Sequence, residues 1–204
     1  MTKSKMITLY GINRIGKTTQ SKLLVDFFLT RGKKASHMKY PVYDFEPDGP
    51  FIYKYLRDPR FRHKHKLTTE ELQKKYVKNR RDNEPALKKR LDAGEWVIVE
   101  DYVGTGIAWG LTWGADLEYL EKINEDLFQA DLSILLHGNS FDLSLEAGHR
   151  NETSDEKMKI CKNFHWLLGE RYGWKKVNAN QSIEAVARDI NTIVESFFVD
   201  DINQ

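Results

Sequence analysis

The chain has 204 residues and carries 32 Lys and Arg against 30 Asp and Glu, which gives a net charge of +2. With 40% hydrophobic residues, this composition excludes a disordered chain and gives no sign of a dedicated nucleic-acid-binding protein. The one cysteine, Cys161, excludes a disulfide framework and a thiolate metal cage.

The first predicted elements are a strand, a glycine-containing loop and a helix. The apolar run at residues 6–10 predicts the strand, and Gly11 follows it at once. Apolar residues at Leu24, Val25 and Phe28 fit one face of a helix. A strand, a loop and a helix in this order are the typical opening of a parallel α/β sheet.

A second strand and a long helix come next. Residues 35–40 predict the strand, which a proline then ends. Thr68 and Glu71 have the spacing of a capping box, which predicts the start of a helix that runs to about Ala93. We expect Pro85 to kink or divide this helix, because proline lacks the backbone N–H that a helix interior uses.

A buried strand is predicted at residues 96–99, where the apolar run ends in the carboxylate pair Glu100 and Asp101. Continuous rather than alternating apolarity suits a strand that is covered on both faces. Apolar residues at helical spacing then predict a helix at residues 117–127.

Strands and helices alternate to the end of the chain. Strands are predicted at residues 132–136 and 175–178, and helices at 158–172 and 183–197, the last with Ser182 as its N-cap. The alternation predicts an α/β fold with three layers, α/β/α, in which helices flank a parallel sheet.

Neither a membrane span nor a secretion signal is visible. The longest apolar runs are far shorter than the roughly 20 residues that cross a bilayer. The N-terminus lacks a charged start followed by an apolar segment and a cleavage site. We therefore expect residues 1–204 to form a single cytoplasmic domain that binds neither membrane nor nucleic acid.

A phosphate-binding motif follows the first strand. Its G-x-x-x-x-G-K-[ST] pattern is matched in full by Gly11, Ile12, Asn13, Arg14, Ile15, Gly16, Lys17 and Thr18. The glycines let backbone N–H groups curl around phosphate oxygens, and the following helix adds its positive N-terminal end. Lys17 would neutralise the β- and γ-phosphates, and the Thr18 hydroxyl would bind Mg²⁺. A nucleoside triphosphate is predicted to bind here.

Two further features complete the predicted nucleotide site. Glu100 ends a strand that points at the phosphate loop, the usual place for a carboxylate that orders Mg²⁺-bound water; a solvated strand-end acid is the alternative. Residues 142–155 are polar, contain glycine and lie between a strand and a helix, as a lid does. Arg150 in this lid is expected to reach the transferred phosphoryl group, and the alternative is an arginine without a role.

The class of nucleotide enzyme follows from what else the chain contains. Asp101 and Gly104 imitate the D-x-x-G element of GTPases, but the chain lacks an N-K-x-D segment to read guanine. A motor or transport ATPase would normally need a longer chain. A short chain with an arginine in its phosphate loop favours a kinase that closes a lid over a small acceptor.

Four blocks of the chain resemble the thymidylate kinases, which are nucleoside monophosphate kinases. The blocks lie in the family's order at residues 11–20, 76–80, 100–109 and 177–186. A phosphate loop is specific for phosphate and not for one family, so the order and spacing of all four blocks carry the resemblance. It implies a P-loop kinase fold, phosphorylation of dTMP to dTDP by ATP with Mg²⁺, and a homodimer.

The resemblance also implies roles on the donor side. Arg14 matches a catalytic arginine inside the loop of one branch of the family, and Thr19 continues the same loop. Ala179 and Asn180 match the segment whose backbone frames the adenine of ATP. The predicted catalytic residues are therefore Lys17, Arg14, Arg150 and Glu100, and the predicted metal ligands are Thr18 and Glu100.

On the acceptor side, the resemblance implies that Tyr76 stacks on the thymine ring and that Arg80 bonds the edge of that ring. Trp109 lies in the apolar and aromatic stretch that follows the third block. Core packing is the alternative for Tyr76 and Trp109. The predicted acceptor residues are Tyr43, Arg57, Tyr76, Arg80, Asp101, Tyr102, Thr105 and Trp109.

Two arginines of the family are absent from this chain. The family places one after the strand-end carboxylate, where it holds the acceptor's phosphate, and this chain has Asp101. The family's Pro-Glu-Arg block after the second strand reads Pro41, Val42, Tyr43 here. A carboxylate about 4 Å from a phosphate costs roughly 4 kcal/mol per charge pair at an effective dielectric near 20. Asp101 alone therefore cannot hold the acceptor's phosphate.

Several explanations stay open at this point. Other cations could hold the phosphate, Asp101 could act through a metal ion, or the acceptor could be another deoxynucleotide or a nucleoside. A nucleotide-binding protein that has lost catalysis is a further alternative. Asn13 also departs from the family, which usually has an acid there, and the basic run 57–66 is either a solvated loop or an acceptor contact. The candidate cations are Lys39, Arg57, Arg60 and Arg80.

Overall fold

The computed structural model describes residues 5–141, 148–151 and 155–202. Within these residues, five parallel strands form one sheet in the order β2-β3-β1-β4-β5. Parallel neighbours need long crossover connections, and helices supply them here. The strands are β1 (Lys5–Tyr10), β2 (Ala35–Lys39), β3 (Trp96–Glu100), β4 (Leu132–His137) and β5 (Lys175–Asn178).

Nine helices complete the described part of the chain. Five of them, α1, α4, α6, α7 and α8, lie where the sequence predicts helices. They are α1 (Lys17–Leu29), α2 (Asp48–Arg57), α3 (Pro59–His65), α4 (Thr69–Asp92), α5 (Val103–Thr112), α6 (Leu117–Asn124), α7 (Asp155–Arg171), α8 (Ile183–Phe197) and α9 (Val199–Ile202).

The helices form layers on the sheet. Helices α1 and α8 pack against each other, as do α5 and α7, and each pair also contacts strands or their neighbouring helices. Phe28 of α1 stacks on Trp96 of β3 with ring centroids 4.3 Å apart. All residues of β1 and β3 are buried, as expected for strands covered on both faces. The predicted three-layer α/β/α fold is confirmed.

Helix α4 begins as predicted but does not divide. The Thr68 hydroxyl accepts a hydrogen bond from Glu71 N at 3.1 Å, and the Glu71 carboxylate accepts one from Thr68 N at 2.8 Å. Pro85 lies inside one helix that continues to Asp92, so the prediction of a division is wrong. The burial of Leu87 offsets the hydrogen bond that proline cannot make.

Most of the basic run 57–66, for which a solvated loop was one alternative, forms the short helix α3. Helix α2 ends at Arg57, and α3 follows after the single residue Asp58. The Asp58 carboxylate accepts hydrogen bonds from Arg60 N at 2.8 Å and Phe61 N at 3.2 Å, so it caps α3. An Asp-Pro pair is a recognised helix start, and the excess of positive charge conceals that signal in the sequence.

The sequence did not predict helix α5. Its apolar residues form no clear helical repeat, and its glycines are poor helix formers. Two of its glycines make room for neighbours. A Cβ at Gly104 would lie 2.5 Å from an atom of the Trp174 ring, and a Cβ at Gly106 would lie 2.3 Å from Arg80 Nη2. The small residues thus let α5 pack directly against side chains of the core and of α4.

Strand register brings several functional side chains to one edge of the sheet. Lys39 of β2 and Leu9 of β1 both pair with Glu100 of β3. Strand β1 ends at Tyr10, directly before Gly11. The phosphate loop, Glu100 and Lys39 therefore lie at the carboxyl ends of neighbouring strands, where α/β sheets commonly bind ligands.

A histidine is buried behind this edge. His165 of α7 is 1% exposed, and its Nδ1 lies 2.9 Å from the Cys161 carbonyl oxygen, which can accept its proton. The Thr105 hydroxyl lies 3.4 Å from His165 Nε2. Burial lowers the pKa of His165 to about 4, and the nearby Lys17 also lowers it.

We expect His165 to make the protein sensitive to acid. Below pH 6.5 the unfolded chain binds a proton at this residue, whereas the folded chain binds it only near pH 4. The free energy of unfolding should fall by roughly 3 kcal/mol across this window, at about 1.4 kcal/mol per pKa unit. Urea denaturation at pH 7 and pH 4 measures the loss. In His165→Gln the loss should be smaller, and equal losses in the two proteins would contradict the assignment.

Candidate active site

A cavity of about 470 Å³ opens at the carboxyl edge of the sheet. Its walls come from the phosphate loop, the ends of β2 and β3, and helices α2, α4 and α5. This volume is in the range of small-molecule sites. The predicted site residues that line it are Asn13, Arg14, Gly16, Lys17, Thr18, Thr19, Tyr43, Arg57, Tyr76, Arg80, Glu100, Asp101, Thr105 and Trp109.

Some predicted residues of the loop and its surroundings lie outside the cavity wall. Ile12 and Ile15 are buried in the core, so in this loop they can offer a ligand only their backbone. Tyr102 is also buried, with its ring centroid 5.1 Å from that of Tyr40. Its carbonyl oxygen accepts a hydrogen bond from Arg80 Nη2 at 3.2 Å. Tyr102 thus helps to orient Arg80, which lines the cavity.

The predicted adenine segment joins two loops. Asn180 Oδ1 accepts a hydrogen bond from Asn139 N at 2.7 Å, and Asn180 Nδ2 donates to the Asn139 carbonyl at 3.0 Å. Ala179 N donates to the His137 carbonyl at 2.8 Å, and its side chain is buried. These bonds hold the segment after β5 against the segment after β4, beside Gly138.

Part of the predicted lid, residues 142–155, is described. Residues 142–147 and 152–154 lie outside the described residues. The Arg150 guanidinium lies over the Trp113 ring, 4.1 Å from its centroid. Arg150 N donates to the Leu56 carbonyl at 2.7 Å. In this structure Arg150 therefore lies against α2 and the end of α5 and not along the wall of the cavity.

The phosphate loop has the backbone that its glycines predict. Gly11 has φ 141°, and a Cβ there would lie 2.6 Å from the Leu136 carbonyl oxygen, so only glycine fits. Gly16, with φ 92°, is the N-cap of α1. Lys17 Nζ donates to the Gly11 carbonyl at 3.0 Å and to the Ile12 carbonyl at 2.9 Å. The ammonium group thus lies inside the curl of the loop.

Glu100 is a buried carboxylate that contacts three other side chains of the site. It accepts a hydrogen bond from the Thr18 hydroxyl at 2.9 Å, and Lys39 Nζ lies 3.3 Å from its Oε2. His37 Nε2 lies 2.7 Å from its Oε1. Burial alone would raise the pKa of Glu100, but His37, Lys39 and Thr18 together lower it to about 2. The side chain is therefore a carboxylate at neutral pH.

These oxygens suit Mg²⁺. The Thr18 hydroxyl and the Glu100 carboxylate are hard ligands, and Mg²⁺ usually takes one or two protein oxygens together with water and phosphate oxygens. No group of three or more His, Cys, Asp or Glu that could hold a metal occurs among the described residues. A cation at this point would therefore depend on a bound phosphate for part of its ligand shell.

Asp101 contacts the phosphate-loop lysine. Its Oδ1 lies 3.3 Å from Lys17 Nζ and accepts a hydrogen bond from the Thr105 hydroxyl at 3.3 Å. The residue has φ 55°, in the left-handed region that side chains other than glycine rarely adopt. Asp101 thus forms an ion pair with Lys17 and does not cap α5, because Tyr102 occupies the N-cap of that helix.

The opposite end of the cavity is aromatic with one buried cation. Arg80 is 3% exposed, and its Nη1 donates to Asn124 Oδ1 at 3.3 Å. Its guanidinium carbon lies 6.0 Å from the Tyr76 ring centroid. Burial raises the pKa of Tyr76 and lowers that of Arg80. Trp109 is almost fully buried but still lines the cavity, so core packing and a wall position coexist.

Several lining residues carry no signal in the sequence motifs. Lys39 was named in the sequence only as a candidate cation for the acceptor's phosphate. Its place at the end of a strand could have indicated that it lines the site. His149 and Asn151, which belong to the predicted lid, also line the cavity. The Asn151 carbonyl oxygen Oδ1 accepts from Trp113 Nε1 at 3.2 Å. His37 is not among the residues that line the cavity, but it contacts Glu100. The sequence did not predict this contact, because the pattern of a single strand does not reveal which strand lies beside it.

Comparison with known proteins gives one consistent family. The family model described as thymidylate kinase matches residues 9–190. Human thymidylate kinase is 28% identical over 198 residues, covering 95% of this chain and 91% of the relative. The putative thymidylate kinase 251L of Invertebrate iridescent virus 6 is 25% identical, covering 96% and 90%. The solved thymidylate kinase of Candida albicans is similar in fold, with a TM-score of 0.81 at 19% identity and coverage of 98% and 94%.

We expect the phosphate loop to bind a nucleoside triphosphate through Lys17. Lys17→Met should weaken the affinity for ATP with Mg²⁺ by about 10- to 100-fold, since charge-assisted hydrogen bonds contribute about 1.5–3 kcal/mol each. Isothermal titration calorimetry measures the change. Lys22→Met, an exposed change on the same helix, is the matched control. Equal affinities for the Lys17 variant and the wild type would rule out this site for the triphosphate.

Proposed function

The chain belongs to the thymidylate kinase family, and from this membership we propose that it transfers the γ-phosphoryl group of ATP to dTMP, giving dTDP and ADP. The observation that carries the proposal is one cavity with two chemically different ends. Lys17 and Thr18 of the phosphate loop line one end, and Tyr76 and Arg80 line the other. A phosphate donor and an aromatic acceptor can therefore meet inside it.

The residues of the donor end neutralise the charge of the ATP phosphates. On binding ATP, Lys17 exchanges its contact with Asp101 for contacts with the β- and γ-phosphates. Arg14, in the same loop, stabilises the charge that develops on the transferring group. Thr18 and Glu100 would hold Mg²⁺, which neutralises phosphate charge when bound. Arg150 joins this set only if its guanidinium leaves the Trp113 ring when the lid closes.

The reaction itself needs little covalent chemistry from the protein. An oxygen of the acceptor phosphate forms a bond to the γ-phosphorus, and the bond from that phosphorus to the β–γ bridging oxygen breaks. ADP leaves with the bond's electron pair. The attacking oxygen is already unprotonated at neutral pH, so no general base is required. Positioning and electrostatic stabilisation then account for the rate enhancement.

The acceptor end holds the base. Tyr76 and Trp109 offer flat faces for the thymine ring, and Arg80 offers hydrogen-bond donors to its edge. Arg80 is already oriented by Asn124 and the Tyr102 carbonyl, so it loses little conformational freedom when a base binds. Thr105 and Asp101 lie between this end and Lys17.

Oligomeric state and location belong to the same proposal. The family resemblance supports a homodimer with nucleotide substrates and without nucleic acid as a partner, and a cytoplasmic place for the reaction. Among the described residues, no helix combines the length and the apolarity that crossing a bilayer requires.

We expect dTMP to be the preferred acceptor. ADP release with ATP and Mg²⁺ should be fastest with dTMP in a panel that also contains dUMP, dCMP, dGMP and thymidine, because the family resemblance implies that Tyr76 stacks on a thymine ring and that Arg80 bonds its edge. A coupled assay for ADP measures each rate. Equal rates across the panel would withdraw the thymidylate assignment, and ATP binding without turnover of any acceptor would favour a protein that has lost catalysis.

We expect Glu100 to determine the magnesium requirement. Glu100→Gln should raise the Mg²⁺ concentration for half-maximal activity about tenfold or more, because an amide is a weaker ligand than a carboxylate and holds Thr18 differently. Activity measured across a Mg²⁺ titration at saturating ATP gives the value. Glu118→Gln, at an exposed position of α6, should leave the titration unchanged. An unshifted curve for the Glu100 variant would remove this residue from the metal site.

A further inference from the structure

The acceptor's phosphate needs a cation, and five line the cavity. They are Arg14, Lys17, Lys39, Arg57 and Arg80. Arg60, the remaining candidate from the sequence, is exposed on α3 and is not among the residues that line the cavity. The five differ in what they contact, and these contacts assign most of them to other tasks.

Three cations are engaged with the donor side of the cavity. Arg14 and Lys17 belong to the phosphate loop, and Lys17 donates to two carbonyl oxygens of that loop. Lys39 Nζ lies 3.3 Å from Glu100 Oε2 and 3.4 Å from the Thr18 hydroxyl. Burial alone would lower the pKa of Lys39, but Asp101 and Glu100 raise it. Lys39 is therefore paired with the predicted metal carboxylate.

Arg80 is engaged at the base end. Its two terminal nitrogens donate to Asn124 Oδ1 and to the Tyr102 carbonyl. Gly106 packs so closely against it that a Cβ would lie 2.3 Å from Nη2. A guanidinium fixed on these sides can reach a ring edge beside it, but it cannot turn toward a phosphate elsewhere in the cavity.

Arg57 is the remaining cation that lines the cavity. It is the last residue of α2, and its guanidinium carbon lies 5.0 Å from the Tyr43 ring centroid and 4.2 Å from the Tyr53 ring centroid. Burial raises the pKa of Tyr43, and a hydrogen bond with Arg57 acts in the opposite direction. Arg57 thus contacts Tyr43, which occupies the position where the family has an arginine.

The backbone that carries Arg57 is held from two sides. Arg62 Nη1 donates to the Tyr55 and Leu56 carbonyls at 3.0 and 2.7 Å, and Arg62 Nη2 donates to the Gly148 carbonyl at 2.9 Å. Arg150 N also donates to the Leu56 carbonyl. The end of α2 is therefore fixed by α3 and by residues 148–151, which gives the Arg57 side chain a defined starting point.

We propose that Arg57, together with the Tyr43 hydroxyl, binds the phosphate of dTMP. This inference rests on the proposed function. An arginine presents its N–H groups in a planar fork that matches two phosphate oxygens, and a tyrosine hydroxyl adds a third donor. The aromatic rings beneath the guanidinium limit its rotation. The acceptor phosphate is thus bound from helix α2 and not from the sheet edge, where Asp101 stands.

The decisive test compares two ligands that differ only by a phosphate. Arg57→Gln should raise the Kd of dTMP about 10- to 100-fold, while the Kd of thymidine and the Kd of ATP stay within about twofold. Isothermal titration calorimetry on the full chain measures all three. Arg60→Gln, three residues along the chain and exposed, is the matched control and should leave dTMP binding unchanged.

Two further variants separate binding from structure. Tyr43→Phe keeps the ring under the guanidinium and should weaken dTMP by only a few fold. Tyr43→Arg in the Arg57→Gln background restores a guanidinium at the family's position and should recover most of the lost dTMP affinity. A purely structural role of Arg57 would give no such recovery.

The outcomes are distinct from those of the proposed function. Equal losses for dTMP and thymidine in Arg57→Gln, or an unchanged dTMP Kd, would overturn the inference. A wild-type protein that binds thymidine as tightly as dTMP would overturn it too. Failure of the proposed function appears elsewhere, as absent turnover of dTMP by a wild type that still binds dTMP more tightly than thymidine.

Discussion

Parallel pairing of β1 with β3, and of β3 with β2, brings three strand ends to one edge of the sheet. The phosphate loop leaves β1 at this edge, Glu100 ends β3, and Lys39 ends β2. Because the register is fixed by burial of both faces of β1 and β3, these groups cannot shift relative to one another without exposing the core. The geometry of the donor site is therefore a consequence of how the sheet packs.

The electrostatics of the cavity follow from that convergence. Two carboxylates and five cations line it, and in the described structure each carboxylate contacts a lysine, Glu100 with Lys39 and Asp101 with Lys17. The excess positive charge suits ligands that carry several phosphates. The three arginines also differ in position, with Arg14 in the loop, Arg80 at the base end and Arg57 at the end of α2. Different arginines of one cavity can therefore contact two different phosphate-bearing molecules.

Local patterns explain what the sequence could predict. The G-x-x-x-x-G-K-[ST] motif locates β1, its loop and α1, because each depends on residues next to one another, and the capping box of α4 is equally local. Helix α5 and the pair α2 and α3 were not predicted, since glycines and a run of positive charge conceal them. The position of His37 beside Glu100 depends on the strand order β2-β3-β1, which no local pattern encodes. Arg150 lies over the Trp113 ring and against α2, through contacts between distant segments that no local pattern encodes.

The ion pair between Lys17 and Asp101 has a consequence for ligand selection. The lysine has an internal counter-ion, the Asp101 carboxylate, 3.3 Å away. An incoming anion must compete with that carboxylate for the ammonium group. A small singly charged anion offers no more charge than Asp101 does, and it gains little from the exchange. A triphosphate offers several charges and fills the curl of backbone amides as well. Competition with the Asp101 carboxylate therefore favours the binding of polyphosphates at this loop over the binding of small, singly charged anions.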